Sequence, residues 1–174
     1  PQVLIAWAQG TVSAGVASIL NATTPLFTVL LAHVLTHDEK MTPRKAVGVV
    51  LGFGGVVVMT GAEALDGLVL SVLAQGAVLV ASLSYALAAV YGRRLAQHGI
   101  VPLDITVGSI TGAALVLVPL ALVVESPWTL ATPGLPSLGA VLGLAVLSTV
   151  SAYLLFYYLL DRVGASNASL VTFL

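Results

Sequence analysis

Apolar residues run along this chain in long stretches, with polar and small residues gathered at their ends. Five stretches are long enough for a helix to cross about 30 Å of hydrocarbon, which takes roughly 20 residues. They are Gly15 to Leu35, Pro43 to Thr60, Leu68 to Tyr91, Leu103 to Val124 and Leu138 to Leu160. Partial stretches flank them at Val3 to Ala8 and Ala165 to Leu174. None alternates apolar and polar residues with period two, and in lipid only helices or closed barrels satisfy their own backbone hydrogen bonds. The pattern therefore predicts an all-α membrane protein, a transmembrane bundle of five complete and two partial helices. Thr42 and Pro43 suit an N-cap and first helical position, while Gly61, Gly67, Gly99 with Pro102, and Pro127 to Pro136 break the other connections.

One stretch breaks its own pattern. "ASILNATTPLFTVLLAHVL" carries Asn21, Thr23, Thr24 and Pro25 near its middle. Pro25 has no N–H and leaves the carbonyl of Asn21 without its helical donor, a loss that lipid does not offset. This segment is expected to face protein or a water-filled cavity.

Composition narrows the function classes. Hydrophobic residues make up 59% of the chain and charged ones 7%, against about a quarter charged in a soluble domain. The net charge of −1 gives no basic footprint for nucleic acid, and the absence of Cys removes thiolate ligands, a Cys nucleophile and disulfides. The chain opens at Pro1 without a basic leader and stops at Leu174 within an apolar segment, which reads as a fragment cut at both ends.

Charge sets an orientation. All six Lys and Arg residues fall on alternate connections: Lys40, Arg44 and Lys45, then Arg93 and Arg94, then Arg162. The positive-inside rule makes loops 36–43, 92–102 and 161–164 cytoplasmic in a multi-pass protein of the cell membrane, with Glu63, Asp66 and Glu125 facing the other side.

A repeat crosses that orientation. "VSAGVASILNAT" (Val12 to Thr23) aligns with "VGASNASLVTFL" (Val163 to Leu174) at an offset of 151 positions, which also pairs Trp7 with Tyr158 and Ile5 with Phe156. The first copy straddles a charge-poor loop and the second a loop carrying Arg162, so equivalent helices point in opposite directions. Inverted repeats build a midplane site that opens to either side in turn.

The string from Ala17 to Gly61 resembles the last two helices of an EamA domain, the five-helix repeat of drug/metabolite transporter superfamily carriers. The features matched are a small-residue turn, a helix with Pro in its body, a loop ending near "Glu-x-x-Thr-Pro" and a Gly-rich closing helix. "LSVLAQGAVLVASLSYALAAVYGRRLAQHG" resembles the opening helix of a second repeat, and "YLLFYYLLDRVGASNASLVTFL" its third helix running into its fourth. The resemblance implies two inverted five-helix repeats truncated at both ends. Residues 1–61 would hold the end of helix three with helices four and five, and residues 62–174 helices six to eight and the start of nine.

Candidate chemistry is sparse. In the broken helix, Asn21, Thr24 and Pro25 either repair the backbone and bond to neighbouring helices or line a substrate path. Ser71, Gln75 and Ser82 share one helical face, and Tyr85 lies nearby; Gln75, Ser82 and Tyr85 are path candidates, with interhelical bonding the alternative. Tyr153 and Tyr157 lead a cluster with Phe156 and Tyr158 that reads as an interfacial belt or as packing on an organic substrate, and Trp7 shares that ambiguity. The pairs Gly48/Gly52, Gly108/Gly112 and Gly139/Gly143 permit close helix approach within the chain, with a homodimer interface as the alternative. His33 and His37 have metal-ligand spacing beside Asp38 and Glu39, but at a helix end with nothing to close a coordination shell; no metal or cofactor is expected. By resemblance, Glu39 occupies the acidic position of the loop between helices four and five, a structural or gating contact to a cytoplasmic partner.

No Asp, Glu, Lys or Arg lies deep in a complete span. A proton or other coupling ion would need carriers outside these spans or at a boundary position such as Asp104, and the same absence argues against an intramembrane enzyme. The resemblance and the inverted repeat together imply a secondary transporter that exports a small organic metabolite or drug by alternating access. The alternative is a non-transporting membrane scaffold or an inactive truncated carrier.

Overall fold

The computed structural model describes residues 1–65, 69–124 and 134–173. The expected breaks at Gly67 and Pro127 to Pro133, the charges Asp66 and Glu125, and Leu174 lie outside them. Among the described residues the secondary structure is entirely helical: α1 (Gln2–Ala8), α2 (Ala14–Asn21), α3 (Thr24–Leu35), α4 (Pro43–Leu65), α5 (Val69–Gln97), α6 (Pro102–Val124), α7 (Leu135–Gly143), α8 (Ser151–Val163) and α9 (Ala165–Ala168), with a π-helical stretch at Leu144–Val150 and a 3-10 turn at Ser169–Phe173.

Among the described residues, four helical stretches are long and apolar enough to cross a membrane: Ala14–Leu35, Ser71–Gln97, Pro102–Val124 and Leu135–Val163. The fifth expected span, α4, is a continuous helix of 23 residues, about 34 Å at 1.5 Å per residue. It passes through Gly61, where a break was expected, because the following Ala62, Glu63, Ala64 and Leu65 are good helix formers that carry one glycine along. The helix from Val69 also outruns its expected end at Tyr91. It stops at Gly99 in a Schellman cap, in which the Gly99 N–H donates to the Ala96 carbonyl and the Ile100 N–H to the Leu95 carbonyl. Gly99 holds φ at +84°, a conformation that favours glycine.

The chain divides into two compact units, Pro1–Arg94 with Val163–Leu174, and Leu95–Arg162. In the first, Ala8, Val12, Val16, Ala17 and Leu20 pack against Ala74 and Val78 of α5. The small side chains let the backbones approach, which matters in lipid, where tails are as apolar as the core and packing itself must hold helices together. Gly52 serves α4 in the same way: a Cβ there would lie 2.8 Å from Leu26 Cδ2. The next residue on each helix, Phe27 and Phe53, meets its counterpart edge to face, with ring centroids 5.3 Å apart. Both α9 and the 3-10 turn pack along α3.

In the second unit, α6 is exposed at every position from Thr111 to Val124, although it is apolar enough to span a membrane. Such a surface suits lipid or further helices, not water. The expected span Leu138 to Leu160 contains the π-helical stretch, where the hydroxyls of Thr149 and Ser151 donate to carbonyls five residues back, on Leu144 and Val146. No glycine or proline there announces the wider turn.

Candidate functional site

The membrane helix from Ala14 to Leu35 is broken where its polar residues cluster. Ser13 starts it, its hydroxyl accepting the Val16 N–H at 3.3 Å. It ends at Asn21 and restarts at Thr24, with Pro25 in the first turn of α3. Ala22 and Thr23 keep right-handed backbone angles across the break, so the chain continues in the same sense.

Proline's missing donor is replaced by hydroxyls. Thr24 Oγ1 donates to the Asn21 carbonyl at 2.7 Å, and Thr23 Oγ1 to the Leu20 carbonyl at 2.6 Å. Ser82 of α5, fully buried, reaches the same Leu20 carbonyl at 3.2 Å while also bonding to Val78. One turn further, Thr28 Oγ1 donates to the Thr24 carbonyl at 2.8 Å. Three buried threonines and one serine thus hold together a segment that lipid would not tolerate open.

One polar group takes no part in this repair. Asn21 Oδ1 is buried and has no hydrogen-bond partner among the described residues. The residue also lines a cavity of about 100 Å³, together with Ile5, Gln9, Ala17 and Ser18, room for roughly three waters. The lining holds two amides and a hydroxyl and no ionisable side chain. On another face of the same helix lies an apolar cavity of about 260 Å³, bounded by Ile19, Ala22 and Leu26 and by Gly52, Val56 and Met59 of α4. The break thus separates a polar recess from an apolar one.

The remaining candidates fall elsewhere. Gln75 is half-buried, and its amide donates to Ser71 Oγ at 3.4 Å along one face of α5. Tyr85 is half-buried on the same helix and Trp7 is 54% exposed on α1. In the second unit Tyr157 is buried, its hydroxyl 3.0 Å from Ser109 Oγ of α6, and its ring packs on Tyr153 and Phe156. Tyr158 is exposed with Arg162 stacked 5.1 Å from its ring centre, an arrangement suited to a helix end at a lipid–water interface. Among the glycine pairs, Gly52 is in close contact, whereas a Cβ at Gly48, Gly108, Gly112, Gly139 or Gly143 would meet nothing within 4 Å.

Gln9, Ser18 and Ser109 escaped the sequence reading. Ser18 lies three residues before Asn21 on one helical face, a signal the spacing carried. Gln9 and Ser109 are placed by packing alone.

The basic loop is ordered by its own polar groups. The His33 carbonyl accepts from Lys40 Nζ and its Nδ1 accepts the Met41 N–H, each at 3.0 Å, and Asp38 pairs with Arg93 at 3.2 Å. Glu39 accepts the backbone N–H groups of Ala165 and Ser166, the latter at 2.8 Å.

A family model of EamA-like transporters matches residues 1–61 and 72–174. The chain belongs to the EamA-like transporter family. An uncharacterized transporter of Archaeoglobus fulgidus is 28% identical over 160 residues, covering 91% of this chain and 54% of the relative. The uncharacterized transporter YyaM of Bacillus subtilis is 25% identical over 155 residues, covering 88% of this chain and 50% of its own length. The uncharacterized inner membrane transporter YedA of Escherichia coli K12 is 27% identical over 159 residues, covering 91% and 49%. This EamA-like chain therefore spans about half the length of the curated relatives it matches. No solved structure matches it.

Proposed function

We propose that this EamA-like chain forms part of a secondary carrier that moves a small organic molecule across the cytoplasmic membrane by alternating access, in the export direction. The α2–α3 break lines the substrate path. Supporting this reading is Asn21, which lines the polar recess and whose buried Oδ1 has no hydrogen-bond partner among the described residues, while hydroxyls repair the proline break around it. A buried acceptor without a donor is unfavourable by about 1–3 kcal/mol, and a substrate hydroxyl, amine or amide arriving from water removes that penalty. The apolar recess beside α4 suits the substrate's hydrocarbon part. With no ionisable side chain in the polar recess, a fully ionised group would enter it without a counter-charge.

Direction and mechanism rest on the inverted repeat and on the family. The two halves, 1–61 and 62–174, carry the turn at Val12 and the turn at Val163 in opposite orientations, with loops 36–43, 92–102 and 161–164 cytoplasmic. Trp7, Gln75, Tyr85, Tyr153 and Tyr157 are further wall candidates, and a proton or other coupling ion would use groups outside the described spans or Asp104.

Cysteine accessibility in the full-length carrier tests the path. Asn21→Cys is expected to react with a water-soluble thiol reagent at least tenfold faster than Val58→Cys, which sits on an exposed apolar face of α4 at 78% exposure. Equal protection of both positions would defeat the reading.

A further inference from the structure

The acidic loop between α3 and α4 holds a distant part of the chain. Glu39 caps the start of α9 by accepting hydrogen bonds from Ala165 and Ser166, 126 and 127 residues away. Its loop is tied down to present that carboxylate. Thr36, buried, donates to the Ala32 carbonyl at 2.7 Å and accepts the Glu39 N–H at 3.4 Å. Asp38 is anchored to Arg93 of α5, and Lys40 and Met41 to His33 of α3. The receiving turn is shaped for it. Gly164 holds φ at +84°, and a Cβ there would lie 2.6 Å from Glu39 Oε1. Only glycine both takes that backbone conformation and lets the carboxylate approach.

We propose that Glu39 is a latch. It holds turn 163–166 against loop 36–43, and the substrate path opens toward that end only when the carboxylate leaves the two amides. The physical basis is that α9 and the following 3-10 turn pack along α3, the helix that begins at the break. Moving them off α3 uncovers the helix that leads from loop 36–43 up to the break, and the charge-assisted bonds at Glu39 are what such a movement must break. Glu39 is a positioning residue, acting through α9 and touching no substrate. The partner of the acidic loop is thus the chain's own later segment.

This inference rests on the carrier reading above, and the test separates the two. These 174 residues contain no Cys, so Asn21→Cys in an otherwise cysteine-free full-length carrier gives a single reporter. Its labelling by a membrane-impermeant maleimide is measured in right-side-out and inverted vesicles. Glu39→Gln should raise the rate from the side of loop 36–43 about tenfold, the factor that a loss of about 1.4 kcal/mol produces, and lower it from the other side. Glu39→Asp, with the charge on a shorter arm, should shift the ratio the same way by less, and it serves if Glu39→Gln fails to fold. A reporter labelled in the parent whose ratio of rates ignores both variants overturns the latch and leaves the path standing. A reporter protected from both sides in the parent and in Glu39→Gln overturns both. Reduced thermal stability with an unchanged ratio also overturns the latch, since a cap that only stabilises α9 gives that result.

Discussion

Two turns that the proposed repeat would make equivalent lead into helices, and they are capped in different ways. At the first, Ser13 caps α2 with its own hydroxyl on the Val16 N–H. At the second, the offset of 151 places Gly164 where Ser13 stands, and Gly164 has no side chain to offer. The cap comes instead from Glu39, with two bonds from a carboxylate. A cap from within the turn travels with its helix. A cap from another loop joins two segments, and it makes the second helix start conditional on where that loop sits.

The sharpest way to break this comparison is Gly164→Ala. The position holds φ +84° and ψ 167°, backbone angles essentially confined to glycine and unfavourable by about 1–3 kcal/mol for an L-residue, and a Cβ there collides with the Glu39 carboxylate. Together these should remove about 3 kcal/mol or more from the unfolding free energy of the full-length protein in detergent. Adding Glu39→Ala to that variant should cost little further, because the contact is already lost; full additivity would show that the two positions act independently.

Next in size come the caps themselves. Glu39→Ala leaves two partly buried N–H groups unpaired and is expected to destabilise by about 2 kcal/mol, whereas Ser13→Ala should lose about 1 kcal/mol. Equal losses in chemical denaturation would erase the distinction between the turns. Gly52→Ala should cost about 1 kcal/mol by overpacking, with the flexible end of Leu26 giving way.

The smallest effect is expected at Ser82→Ala. The Leu20 carbonyl keeps its bond from Thr23 Oγ1, so the loss should be about 0.6 kcal/mol, the usual worth of an interhelical hydrogen bond in a membrane. A loss above about 2 kcal/mol would mean that Ser82, not the threonines, holds the break together.

Much of the fold was legible because its rules are local. Thr42 accepts the Lys45 N–H at the start of α4, at the cap position expected from the Thr-Pro pair. Pro25 sits in the first turn after the break, and Thr24 repairs the Asn21 carbonyl three residues back, within reach of a side chain on the same turn. Gly99 ends α5. The site was legible only in part. Asn21 was marked by its polarity in an apolar run, whereas Ser82 lay on a stripe that suited a cavity or an interhelical bond alike, and the structure buries it against the Leu20 carbonyl. Ser, Thr and Gln bond equally well to water, to ligands and to neighbouring helices, so their identity does not say which they face.

While the far ends of α4 and α5 lay beyond the expected ones, the sequence by itself determined that the chain forms long apolar helices, where several of them are capped, and that one of them must break at Asn21 to Pro25. Each follows from the hydrogen bonds a residue makes within about five positions of itself, or from its preference for lipid or water. Only the tertiary structure decided that Glu39 holds Ala165 and Ser166, that Ser82 meets Leu20, and that Tyr157 meets Ser109. Those pairings depend on how each helix is rotated against its neighbours, and rotation is set by the packing of many side chains at once.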